Sequence, residues 1–146
     1  PDKPTAAAEF VRVLKSGGTV GISDLTRSGP LPCELEGVAA WIACVADARP
    51  LDEYRALLAG AGLAVGVTEA HDSALIDFVE AIRLRLFTTE IMVGLKKIDL
   101  AGIDLAAAKD IVRHALAATK SGVLGYSIVT ATKDADPRAG DLKERP

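Results

Sequence analysis

The chain has 146 residues, with 17 Lys and Arg against 20 Asp and Glu, for a formal net charge of −3. That length suffices for one domain with its own core, and its interspersed, slightly acidic charge lacks the basic stripe that a nucleic-acid backbone requires. Aromatics are only 4% of residues while hydrophobics reach 49%, so Ala, Val, Leu and Ile must fill the core, which favours helices on a sheet over an aromatic-rich barrel.

Pro4 suits the first turn of a helix, where its missing N–H would have no partner. Phe10, Val11 and Leu14 form an apolar stripe at helical spacing, on a run eased by Ala6 to Ala8. In Leu14-Lys15-Ser16-Gly17-Gly18-Thr19-Val20 the helix stops at a glycine pair and turns directly into a strand. Thr19, Val20 and Ile22 predict the extended run, in which Gly21 lets another backbone approach. Ser23, Asp24 and Leu25 follow, then the turn residues Ser28-Gly29-Pro30. Polar side chains at the carboxyl end of such a strand face the usual ligand crevice of an open α/β sheet.

Residues 37–48 and 51–61 read as two helices split by Arg49-Pro50, the second with Leu51, Tyr54, Leu57 and Leu58 on its inner face. Gly60 and Gly62 stop it, and 63–68 is a short strand. The next helix starts with Asp72 or Ser73 as cap and runs to Gly94. Leu75, Val79, Ile82 and Leu86 mark its buried stripe; Asp77, Glu80, Arg83 and Arg85 mark its wet side. At roughly 30 Å it is long for this domain, as a lid or a dimer contact would be. After a loop over 96–102, Asp104 caps a helix carrying Leu105, Ala108, Ile111, Val112, Ala115 and Leu116, which Ser121-Gly122 ends. Residues 126–132 alternate and are β-branched, as a last strand should be. The partition expected is a domain over 1–132, with a helical insertion at about 72–122, and a charged, flexible tail over 133–146.

The two cysteines, Cys33 and Cys44, are too few for a disulfide framework and lack Cys-x-x-Cys spacing. No signal peptide opens the sequence, and its longest apolar stretch falls short of the ~20 residues that span a bilayer. A soluble, cytoplasmic protein with no membrane partner is expected.

The order helix, Gly-Gly, strand, paired helices, strand, helical insertion, final strand resembles the carboxyl-terminal half of a class I S-adenosylmethionine-dependent methyltransferase. Glu9 to Gly18 resembles that family's helix ending in Leu-Lys-Pro-Gly-Gly, with Ser16 in place of the proline. Ile22-Ser23-Asp24 resembles the following strand in the ubiquinone-biosynthesis and arsenite methyltransferase groups. Pro50-Leu51-Asp52-Glu53-Tyr54, with Leu57-Leu58 and Ala61-Gly62-Leu63, is similar to the next helix and strand of those groups. The resemblance covers residues 1–70 well and the final strand loosely. It implies an α/β fold, part of a Rossmann-like sheet whose last two strands are antiparallel, and S-adenosylmethionine as cofactor of the complete enzyme. No Gly-x-Gly-x-Gly cofactor loop occurs; it would lie upstream of Pro1.

Four residues are substrate-binding candidates. Asp24 at the strand mouth faces a substrate or takes a proton, or else caps the turn at 26–29. Trp41 walls a pocket or simply packs helices. Cys44, in a segment resembling the metalloid-binding thiol region of arsenite methyltransferases, is a soft ligand or a small buried helix residue. His71 beside Asp72 is an oriented base or a corner cap. His114, with Asp110 four residues before, reads as an exposed helix pair. Cys33, Cys44, His71 and His114 lack metal-site spacing, and no nucleophile elbow is visible.

The function expected is therefore the acceptor-pocket and lid side of a methyltransferase acting on a small molecule. The alternatives are a non-catalytic dimerisation or partner-binding module and a thiol sensor using Cys33 and Cys44. A homo-oligomer, or pairing with a missing amino-terminal half, is expected through the strand edge over 19–24 or the long helix.

Overall fold

The computed structural model describes residues 2–35, 44–100 and 102–135. Its elements are α1 (Lys3–Val13), β1 (Thr19–Arg27), a 3₁₀ turn (Cys33–Leu35), α2 (Leu51–Gly60), β2 (Leu63–Ala70), α3 (Asp72–Gly94), α4 (Leu105–Lys120) and β3 (Leu124–Lys133). The three strands lie in the order β1-β3-β2. β3 is antiparallel to both neighbours, so the expected antiparallel final pair is present and β1 lies on its far side.

The glycine pair starts this sheet. Asp2 caps α1, accepting a hydrogen bond from Thr5 N at 3.0 Å. At the other end of α1, Lys133 Nζ donates to the carbonyls of Val11 and Leu14 at 2.7 and 3.0 Å, closing the helix with a cation from β3. Gly17 N donates to Lys133 O while Lys133 N donates to Gly18 O, both at 2.9 Å. Two glycines thus oppose one residue, with Gly17 at φ 75°, which is the geometry of a glycine bulge. A Cβ on Gly18 would sit 2.8 Å from Lys15 O. The helix end, the bulge and the register of β1 are one device.

That register sorts the sheet into two faces. Val20, Ile22 and Asp24 pair with Ala131, Val129 and Ser127, and their face packs under α1 and α2 in a core of Leu58, Leu63, Val129 and Ala131. Leu25 pairs with Tyr126 on the opposite face, where α3 and α4 contribute Leu75, Val79, Ala115 and Ala118 to the second core. Burying a side chain such as Leu58 or Leu124, each 1% exposed, stabilises by roughly 1.5–3 kcal/mol.

Three expectations shift. β1 continues to Arg27, so Asp24 lies inside a strand rather than at a turn, because β3 pairs with it residue by residue through Leu124. Residues 44–47 are turn and bend and residue 48 is irregular, instead of helix; Cys44, at φ 62°, cannot continue one. The rest of that expected helix, with Trp41, lies outside the described residues, as does the tail beyond residue 135. The cap of α3 is His71, without a side-chain bond. Asp72 instead turns its Oδ1 to accept from Tyr126 N at 3.0 Å.

α3 and α4 have the boundaries expected, and Asp104 caps α4 through Ala107 N at 2.9 Å. They form an antiparallel hairpin clamped by Lys120–Glu80 and Lys109–Glu90, both at 2.7 Å. Only Leu75 and Val79 of α3 are buried. Its second half leaves Leu84, Phe87 and Ile91 exposed, and Leu95 just beyond its end is exposed too.

Candidate functional site

A cleft of about 480 Å³ lies between the sheet and the α3–α4 hairpin. Leu25, Leu124 and Tyr126 form its floor, while Leu75, Phe78 and Ile82 of α3 face Ile111 and Ala115 of α4. Ser23, Asp24 and Cys44 border it near the carboxyl half of β1. Two of the four sequence candidates therefore meet here, Asp24 and Cys44.

The Asp24 carboxylate is already engaged. Its Oδ2 accepts from the Tyr54 hydroxyl at 2.8 Å and from Lys3 Nζ at 3.4 Å, while Oδ1 accepts from Leu25 N at 2.8 Å. Lys3 also pairs with Asp47 at 3.0 Å and stands 5.3 Å from the Tyr54 ring centroid. The network ties α1, β1, α2 and the 44–48 turn together. Burial, and then the Asp24 carboxylate, push the Tyr54 phenol above its ordinary value. For Lys3, burial works downward, but Asp47 and Asp24 outweigh it and hold the amine above its usual range.

Cys44 is exposed in its turn, not buried on a helix, and Cys33 is exposed beside Glu34. His71 does not line the cleft. Its ring pairs with Glu69 at 3.1 Å rather than with Asp72, and its backbone N–H donates to Tyr126 O at 2.7 Å. His114 has the expected Asp110 partner, through the backbone carbonyl at 2.9 Å, and Glu34 lies 3.7 Å away. Among the described residues no group of His, Cys, Asp and Glu could hold a metal ion.

The sequence places Ser23 among the polar residues at the end of β1 and Tyr126 in the last strand, without making either a substrate-binding candidate. Each lines the cleft, and neither hydroxyl has a protein hydrogen-bond partner among the described residues. The register brings them together: Ser23 opposes Ile128 and Leu25 opposes Tyr126, so Ser23 and Tyr126 are diagonal neighbours on one face.

The fold can be matched to known structures. A protein from Galdieria sulphuraria assigned as a sarcosine dimethylglycine methyltransferase superimposes with a TM-score of 0.69 at 21% identity, over 92% of this chain and 48% of that one. A cyclopropane synthase from Mycobacterium tuberculosis gives 0.70 at 11% identity, over 90% and 50%. The chain has a methyltransferase fold, in part. Geranyl diphosphate C-methyltransferase from Streptomyces coelicolor, solved with Mg²⁺, geranyl diphosphate and S-adenosylhomocysteine, matches at 0.62 and 16% identity, over 91% and 43%. The chain thus spans about half the length of the solved structures that share this methyltransferase fold. No protein-family model matches the sequence. Among the described residues no helix is long and apolar enough to cross a membrane.

The described residues do not fit a whole S-adenosylmethionine site. A pyrophosphate or sulfonium nucleoside is held where a strand turns through glycines into a helix N-terminus. Here the turn from β2 into α3 contains no glycine, and its first helical turn carries Asp72, already bonded to Tyr126 N.

Proposed function

We propose that this chain is the acceptor-binding portion of an S-adenosylmethionine-dependent methyltransferase that acts on a small molecule. The cofactor is held by a further portion, in the same or another polypeptide. The observation that carries the reading is the position of the 480 Å³ cleft, at the carboxyl half of β1 and under a two-helix cover. Ligands of open α/β sheets collect at that end of the strands. In this reading the hairpin is the lid, and Asp24 and Cys44 stand at its margin.

The edge of the sheet supports the same reading. Antiparallel ladders alternate, and β3 takes the peptide groups of Val20, Ile22, Asp24 and Thr26. Those of Thr19, Gly21 and Ser23 point away from β3, as Arg27 N confirms for its own position by donating to Arg49 O at 3.1 Å. With β2 at the far side of the sheet, β1 is an edge strand among the described residues. We assign that edge to a strand of the cofactor-binding portion.

A second reading, a non-catalytic partner-binding module, is favoured by the exposed stripe of Leu84, Phe87, Ile91 and Leu95. Tritium transfer separates the two. The polypeptide that unites this chain with a cofactor-binding portion should move label from S-adenosyl-[methyl-³H]methionine to a small molecule in a cell extract. Cofactor binding without any transfer would favour the module.

A further inference from the structure

The cleft's lining limits what it can hold. Its walls are apolar throughout: Leu75, Phe78, Val79 and Ile82 from α3, Ile111 and Ala115 from α4. No Lys, Arg or His lines it among the described residues, and Arg27, two residues beyond Leu25, does not reach the lining. An anion entering would lose its hydration with no cation to replace it. A cation gains little, because the Asp24 carboxylate is already compensated by Lys3 and Tyr54. A neutral molecule meets neither cost.

A wholly apolar molecule would leave two polar groups unused. Ser23 at the border and Tyr126 on the floor are diagonal neighbours on one face of the sheet, and neither hydroxyl has a protein partner among the described residues, each being able to donate and accept. We propose that the cleft binds an uncharged, largely apolar molecule whose single hydroxyl group hydrogen-bonds Ser23 and Tyr126. Calling this molecule the methyl acceptor rests on the function proposed above; the binding itself does not. At about 480 Å³ the cavity falls within the range of small-ligand sites, roughly 300–1,000 Å³. Phe78, 61% exposed at its mouth, is the side chain such a ligand would cover.

The probe is N-phenyl-1-naphthylamine, an uncharged dye whose fluorescence rises in apolar sites, displaced by geraniol or by geranyl diphosphate. These competitors share one hydrocarbon chain and differ in charge. Saturable dye uptake is expected, with geraniol displacing it at roughly tenfold or more lower concentration than the diphosphate. Equal potency of the two, or no saturable uptake, overturns the proposal.

Ile82→Asp should weaken dye binding about tenfold or more, whereas Phe87→Asp, in the exposed stripe on the second half of α3, should not. The reverse pattern places the dye outside the cleft and overturns the proposal. Should Ile82→Asp fail to fold, Ala115→Phe fills the cleft without adding charge and must also abolish uptake. Tyr126→Phe and Ser23→Ala should weaken geraniol by roughly three- to tenfold while leaving the dye unchanged; unaltered geraniol affinity in both removes the hydroxyl assignment. None of these measurements uses cofactor. Their failure leaves the methyltransferase reading to the tritium assay, and failure of that assay leaves the ligand class standing.

Discussion

The Tyr54 hydroxyl donates to Asp24 Oδ2 at 2.8 Å and lies 3.1 Å from the Leu25 carbonyl oxygen, so one phenol serves two consecutive residues of the edge strand. Tyr54 is 6% exposed. Its removal leaves a carboxylate short of a donor and a carbonyl without its partner. Tyr54→Phe should therefore cost about 1–3 kcal/mol in urea denaturation. The same change in an Asp24→Ala background should cost less, because the two residues act as a unit.

The network also sets a response to alkali. Tyr54 and Lys3 both have folded values raised above their ordinary 10.0 and 10.5. A raised value means that the folded chain keeps a proton which the unfolded chain releases. The contribution is thus complete below about pH 10 and is lost as pH rises through the folded values. The urea midpoint should hold steady from neutrality to about pH 9.5 and fall above it. In Tyr54→Phe that alkaline decline should be shallower.

Gly125 and Asp72 form a second coupled pair. A Cβ on Gly125 would lie 2.7 Å from Asp72 Oδ1 and 3.0 Å from Thr26 Oγ1. Asp72 needs that position to accept from Tyr126 N. Gly125→Ala should destabilise by about 1–3 kcal/mol, and distinctly less when Asp72 is already Ala. Thermal melts of the four-member cycle would read the coupling.

The outward edge of β1 should make the chain associate with itself when no cofactor-binding portion is present. Small-angle scattering should show particle mass rising with concentration. Gly21→Pro removes an outward N–H and costs the β3 ladder nothing, since Gly21 does not bond to it, so it should hold the chain monomeric. Leu84→Lys, on the hairpin stripe, should leave association unchanged. The opposite result would transfer the contact to α3.

What the sequence made legible was local. The glycine pair at 17 and 18, the boundaries of α3 and α4, and the Asp104 cap depend on neighbours a few residues apart, and each was found where its chemistry required. The antiparallel final pair followed from a family resemblance. Contacts made across long separations were not visible. Nothing near Asp24 announces that Lys3 and Tyr54 will hold its carboxylate, or that Asp72 will bond Tyr126 N instead of capping its own helix. Ser23 and Tyr126 carried a weak signal, alternation in paired strands, but without register no rule could place them together. Cys44 sits in an apolar run that reads as helix, and its positive φ reflects a turn that the composition does not encode.

The role proposed for this chain is the acceptor side of a methyltransferase that depends on another portion for cofactor. Isothermal calorimetry with S-adenosylhomocysteine tests it, using the chain alone and the polypeptide that joins it to a cofactor-binding portion. The first should give no binding heat and the second saturable binding. Saturable binding by the chain alone, or none by the joined polypeptide, would contradict it.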